Sequence, residues 1–198
     1  MKAFSLLLRD ILPSASGCPD PVAEFAVLRA SQHFLRQARA WRETLDTVTT
    51  IDGVLEYDLN LPPNTELVRI EAATLGGNAL DIARPDTLRR LRRYVYTPDG
   101  TTLQLLPNPG DGAALAIDAS LTLGEAATGL PDPIFNRYAE LIARGALGRL
   151  LQQPLKPYTN APMGLALWSA FESDCDTVKV AIWRGLSNNC PRAVANFF

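Results

Sequence analysis

The stretch Thr47-Val48-Thr49-Thr50-Ile51-Asp52-Gly53-Val54-Leu55-Glu56-Tyr57-Asp58-Leu59 marks where the chain stops reading as helix and starts reading as sheet. β-branched residues crowd it and polar and apolar positions alternate, as on a half-buried strand. Asp52-Gly53 suits a two-residue turn, because both positions tolerate the positive φ that such turns need. Val48 to Thr50 and Leu55 to Leu59 are therefore expected as the two arms of a hairpin.

Moving toward the C-terminus, Pro62-Pro63-Asn64 breaks the chain, and Glu66 to Leu75 reads as a long strand closed by Gly76-Gly77-Asn78. Further strands are expected at Tyr94 to Thr97, Thr101 to Leu106 and Ala114 to Leu121. Pro98-Asp99-Gly100 and the run Pro107 to Gly112 separate them. Short strands joined by tight turns imply an antiparallel sheet or a small sandwich.

On either side the texture is helical. Pro19-Asp20-Pro21 opens a helix expected to run to about Trp41, with Asp20 as its cap. Val22, Phe25, Leu28, Leu35 and Ala38 mark its inner face, and Glu24, Arg29, Gln32, Arg36 and Arg39 lie largely on others. Pro131-Asp132-Pro133 opens a second helix, to about Gln152, with Gly145 and Gly148 on the same face as Ile134, Tyr138 and Leu141. Each glycine weakens an isolated helix by about 1 kcal/mol relative to alanine, so close packing is the expected reason for keeping them. A last helix spans Ala161 to Arg184, with Gly164, Trp168, Phe171, Cys175, Val178 and Ile182 recurring by steps of four and three. Gly185 stops it. The start, Met1 to Leu8, reads as a short amphipathic helix rather than a signal peptide, since Arg9 and Asp10 interrupt the apolar run.

The expected fold class is α+β: an antiparallel helical bundle interrupted by an inserted antiparallel β-sheet or small β-sandwich lobe, with an extended C-terminal tail. Residues 1–46 and 127–185 form the helical lobe, 47–126 the inserted lobe and 186–198 an arm. With 198 residues the chain can bury a sizeable core. A formal charge of −2 argues against a protein whose main task is to neutralise nucleic-acid phosphates. No apolar run reaches the roughly 20 residues that would span a bilayer.

Chemistry-bearing motifs are sparse. The sequence has no nucleophile elbow, Walker loop, dinucleotide fingerprint or zincin helix. Gly76-Gly77 and Gly110-Asp111-Gly112 read as turns. Cys18, Cys175 and Cys190 are isolated, and His33 is the only histidine, so reduced thiols are expected and no zinc site. His33, mid-helix beside Phe34, has no nucleophile in its context and is expected to be structural or solvated. Asp81, Asp86, Asp99, Asp111 and Asp118 fit surface and turn roles. The sharpest charge feature is Arg84, Arg89, Arg90, Arg92 and Arg93 beside Tyr94 and Tyr96, a solvated face or a contact with DNA or a neighbouring subunit. No catalytic, cofactor-binding or metal-ligating residue is expected.

The whole pattern resembles the adaptor proteins of tailed-phage head-to-tail connectors, including the tubular-protein-A type found below the portal. The resemblance is carried by Leu12-Pro13 through Gly17-Cys18-Pro19, Arg39-Ala40-Trp41-Arg42-Glu43, the strand text Thr49 to Leu59, and Leu103-Gln104-Leu105-Leu106-Pro107. It continues through Leu130-Pro131-Asp132, Ala143-Arg144-Gly145-Ala146-Leu147 and Gln153 to Asn160. It implies a structural virion protein of the neck, assembled in the host cytoplasm, with twelve copies in a closed ring and no catalysis. The implied partners are the portal protein, the tail tube or nozzle, and genome DNA crossing the channel without sequence-specific binding. By position alone, Leu186 to Phe198 becomes the portal-docking arm, with Leu186, Pro191, Arg192, Val194, Phe197 and Phe198 as candidates. A neck or tail-completion protein at another level, or a ligand-binding module using the β lobe, are the alternatives.

Overall fold

Two helices begin on the same local sequence, Pro19-Asp20-Pro21 and Pro131-Asp132-Pro133. In each, the leading proline is the N-cap, the aspartate opens the first turn and the second proline falls among positions whose amides need no helical acceptor. The aspartate also meets the positive end of the helix dipole. The cap is thus one residue earlier than expected. The computed structural model describes residues 1–83 and 94–185, and in it these segments are α2 (Asp20–Ala38) and α3 (Asp132–Leu151). α4 (Ala161–Arg184) begins where Asn160 Oδ1 accepts from the Met163 amide at 3.3 Å and stops at Gly185, as expected. α2 ends before Trp41 because Arg39 turns left-handed, with φ 51°.

The helices pack where side chains vanish. A Cβ on Gly145 would lie 2.7 Å from the Phe171 ring, and one on Gly148 3.0 Å from the Trp168 amide nitrogen. One on Gly164 would lie 3.0 Å from the Gly148 carbonyl oxygen, so α3 and α4 touch backbone to backbone. Phe171 fills the space so made and is fully buried. Of the last helix's expected seam, Gly164, Phe171 and Cys175 are buried, and Trp168, Val178 and Ile182 pack at its edge. In α2 the inner face differs from expectation: Ala23, Ala26, Val27, Ala30 and Phe34 are buried with Leu28, Leu35 and Ala38, while Phe25 is exposed. Small residues win that face because α3 comes close.

The N-terminus contributes more than a helix. β1 (Lys2–Ala3) pairs antiparallel with β11 (Gly129–Leu130), a turn of 3₁₀ helix (Phe4–Leu7) follows, and α1 (Leu8–Ile11) completes the segment. Phe4, Leu7, Leu8 and Ile11 are all buried in the helical core.

A second core lies between two larger sheets. β2 (Arg42–Thr44), β3 (Val48–Thr49), β5 (Thr65–Leu75), β6 (Asn78–Ala79) and β10 (Ala114–Leu123) form a five-stranded sheet ordered β2-β10-β5-β6, with β3 also on β10. β4 (Glu56–Asp58), β7 (Asp81–Ile82), β8 (Tyr94–Tyr96) and β9 (Thr102–Leu106) form a four-stranded sheet ordered β4-β9-β8-β7. Ile70, Leu115, Ile117, Ala119 and Leu121 of the first face Tyr57, Val95, Leu103 and Leu105 of the second.

Three expectations fail here. The chain is not a helical bundle carrying an inserted antiparallel sheet. Among the described residues, eleven strands in three sheets accompany four α-helices, a mixed α+β fold with a sheet-rich core. Second, the arms flanking Asp52-Gly53 do not form a hairpin. The turn is present, with Gly53 at φ 80°, but β3 pairs with β10 and β4 with β9, in separate sheets. Third, β7 and β8 run parallel.

The sheets also reach into the helical half. β10 turns Ala119 and Leu121 into the sandwich and sends its last residue, Leu123, into the helical core. Ser120 and Thr122, on the opposite face, are buried under the helices, where the Thr122 hydroxyl lies 3.5 Å from the Gln32 carbonyl. Gln32, expected outside, is buried with its amide nitrogen donating to the Leu123 carbonyl at 3.1 Å. Half-buried Trp41 packs against both cores.

Candidate functional site

The residues singled out for chemistry do not converge. His33 sits between α2 and α4, its ring 5.0 Å from that of Trp168 and 5.6 Å from that of Phe171. Its Nε2 has no hydrogen-bond partner and lies 4.0 Å from Glu172 Oε1. Burial pulls its pKa down, the Glu172 carboxylate pushes back, and Arg149 adds to the depression. This is an aromatic packing position. Asp99 belongs to a turn: its carboxylate accepts from the amides of Thr102 at 2.7 Å and Thr101 at 2.9 Å, which hold its pKa down to about 2. Asp118 accepts from Thr44 Oγ1 at 2.6 Å across the sheet. Gly76, Gly77, Gly110 and Gly112 all have positive φ and make turns, as expected.

Cys18 and Cys175 are buried free thiols. Burial, reinforced by Asp176, Asp174 and Glu172, pushes the Cys175 thiol up to about 12. Among the described residues no group of three or more His, Cys, Asp and Glu side chains could hold a metal ion. None of their helices is long and apolar enough to cross a membrane. Arg84, Asp86, Arg89, Arg90, Arg92, Arg93 and Cys190 lie outside the described residues. So do the arm candidates Leu186, Pro191, Arg192, Val194, Phe197 and Phe198.

Sequence reasoning missed a groove between the C-terminal end of α4 and the outer face of the five-stranded sheet. It encloses about 540 Å³ and is lined by Arg39, Arg42, Arg69, Glu71, Lys179 and Trp183, among others. Cross-strand register makes it: Arg42 and Arg69 flank Ser120 in one row, and Glu71 falls at a register shift beside it. Burial would raise the Glu71 pKa, but a hydrogen bond from Ser120 Oγ at 2.6 Å and the charges of Arg39 and Arg42 outweigh it and hold the carboxyl below its usual range. Trp183 is 78% exposed at the rim. No local motif signals this groove, because its residues come from four separate segments.

α4 itself is mostly solvent-facing. Only Gly164, Phe171 and Cys175 are buried, while Leu165, Val180 and Trp183 stand exposed. The Arg144–Asp174 ion pair ties the helix to α3, and Gln37 Nε2 donates to Asp176 Oδ1 at 3.0 Å to tie it to α2. A helix so anchored on one side and so apolar on the other suits an interaction surface better than a reaction centre.

The family model described as SU10 adaptor protein matches residues 4–176. That span includes both cores and stops eight residues short of the end of α4. No curated protein matches the chain.

Proposed function

We propose, for a chain that belongs to the SU10 adaptor protein family, the role of a phage structural adaptor that forms a closed ring of about twelve copies in the virion neck, as the sequence resemblance implies. One side of the ring meets the portal and the other the tail tube or nozzle, in the manner of the tubular-protein-A type. Genome DNA crosses the channel without sequence-specific contact. The protein is assembled in the host cytoplasm and carries no catalytic role.

The observation that carries this reading is the family match over residues 4–176, most of the 198-residue chain. Physical considerations agree with it. A ring repeats every contact, so modest affinity per copy becomes a durable joint through effective concentration. A formal charge of −2 suits a conduit, where a densely cationic lumen would hold each passing phosphate. The apolar anchors of the last thirteen residues, Leu186, Pro191, Val194, Phe197 and Phe198 with Arg192 among them, fit a segment that docks on the portal. Arg89, Arg90, Arg92 and Arg93 are assigned to contact with DNA or with the next copy.

Truncation after Gly185 tests the arm. The shortened protein should fold with unchanged circular dichroism and fail to join portal-bearing heads; infectious particles at the normal yield would contradict the assignment. Replacing Arg89, Arg90, Arg92 and Arg93 together by glutamine tests the basic run. Reduced ring assembly or DNA ejection is expected, and unchanged behaviour in both would make those arginines a solvated face.

A further inference from the structure

Among the described residues, the charged side chains on the outer face of the four-stranded sheet are all acidic, and the groove on the opposite side of the sandwich is lined by an excess of basic ones. On the four-stranded sheet, Glu56 and Asp58 point outward on either side of core-facing Tyr57, and Asp81 lies in register with Tyr94. Asp99 reaches the Thr102 hydroxyl at 3.3 Å, next to the Asp58–Thr102 pair. None of these four carboxylates has an ion-pair partner among the described residues.

The opposite outer face holds the groove beneath α4. Arg42, Arg69 and Lys179 line it, likewise without a carboxylate partner among the described residues. Its two acids are already engaged, Glu71 by Ser120 and Arg39 and Asp176 by Gln37. Exposed Trp183 and Val180 add an apolar wall.

We propose that these faces are the two halves of one interface, with the acidic face of the four-stranded sheet of one copy docking on the basic groove of a second copy. This rests on the ring-forming reading above and says which surfaces meet. The halves lie on opposite sides of one sandwich, so they cannot both engage the same neighbour. Each copy therefore leaves one half free for the next, a heterologous contact that closes into a ring when its rotation permits. Half-buried Tyr94 and Tyr96 share the acidic sheet and offer aromatic area to Trp183. The charges set register and encounter rate.

Charge exchange tests the pairing. Copies of the full-length chain per neck are counted, by quantitative mass spectrometry of assembled particles, for wild type, for Arg42→Glu with Arg69→Glu, and for Glu56→Lys with Asp58→Lys. Each single-face variant should lose occupancy by about tenfold or more, since like charges then face each other. A fourth variant carrying all four substitutions should recover, because complementarity returns with the signs exchanged, and misfolding could not produce that recovery. If a single-face variant occupies the neck at the wild-type level, or if the fourth variant stays absent while circular dichroism shows it folded, the pairing is wrong and the ring reading stands. If wild type itself contributes one copy per neck, the ring reading fails and the pairing with it.

Discussion

In the helical core the positions that set the architecture have the least side chain. Gly145, Gly148 and Gly164 let α4 lie against α3, and fully buried Phe171 occupies the space they leave. In the sandwich the architecture is set by cross-strand partners. Leu103, Leu105 and Val95 of one sheet meet Leu115, Ala119 and Leu121 of the other, and of the residues that alternate with them Asp118 is exposed while Ser120 is buried under the helices. The first core is written in local periodicity and tolerates little change in volume. The second is written in register, and the parts of its outer faces that the helices leave uncovered carry charge. On the interface proposed above, the buried helical core is the scaffold, and recognition falls to the sheet surfaces together with the exposed end of α4.

Four substitutions can break or sharpen that contrast. Phe171→Ala should have the largest effect, a loss of about 3–5 kcal/mol in urea unfolding, because it empties the centre of the helical core. A loss under about 1 kcal/mol would mean that the glycine contacts are not held closed by this ring. Leu103→Ala should cost about 3 kcal/mol, and hydrogen exchange should rise in β5, β9 and β10 before it rises in α3 and α4. An equal rise in both regions would show the two cores opening as one unit.

Gly145→Ala is smaller and more diagnostic. Alanine favours an isolated helix by about 1 kcal/mol, yet the Phe171 ring must shift, and overpacking costs about 1–3 kcal/mol. A net destabilisation of about 1 kcal/mol is expected; a stabilised protein would mean that the helices can part without penalty. The smallest effect concerns pH. Because burial lowers the His33 pKa, the folded state favours the neutral ring. Its contribution is complete above the ordinary histidine range and is lost as pH falls through that range. His33→Phe should flatten the fall in melting temperature between pH 7.5 and 5.5, and an unchanged slope would clear His33 of any part in it.

What could be read from sequence follows the same division. α3 and α4 were legible to within a residue because their caps, glycines and apolar spacing are local. The long strands were legible as well: Glu66 to Leu75 is observed as Thr65–Leu75, and Ala114 to Leu121 extends only to Leu123. Strands of two or three residues such as Lys2–Ala3 and Arg42–Thr44 were not, since so few residues show no alternation and their pairing is remote. Asp52-Gly53 misled for a related reason. It specifies a turn but cannot specify which strands its arms join, and longer-range pairing sent them to different sheets. The cost of the misreading was the bundle itself, because without the strands that enter the helical half the sheet looks like an insertion. The groove at Arg42, Arg69 and Lys179 exists only through β2-β10-β5 register and the position of α4, so nothing in the local text announced it.

The most direct test of the account is a reconstruction of the particle neck. It should show about twelve copies of this chain in a closed ring between portal and tail, as the sequence resemblance implies, with residues 186–198 running onto the portal. Adjacent copies should touch through opposite outer faces of the β-sandwich, Glu56 and Asp58 against Arg42 and Arg69. A lone copy, a chain placed at another level of the particle, or neighbours joined through the helical core with both sandwich faces bare would contradict it.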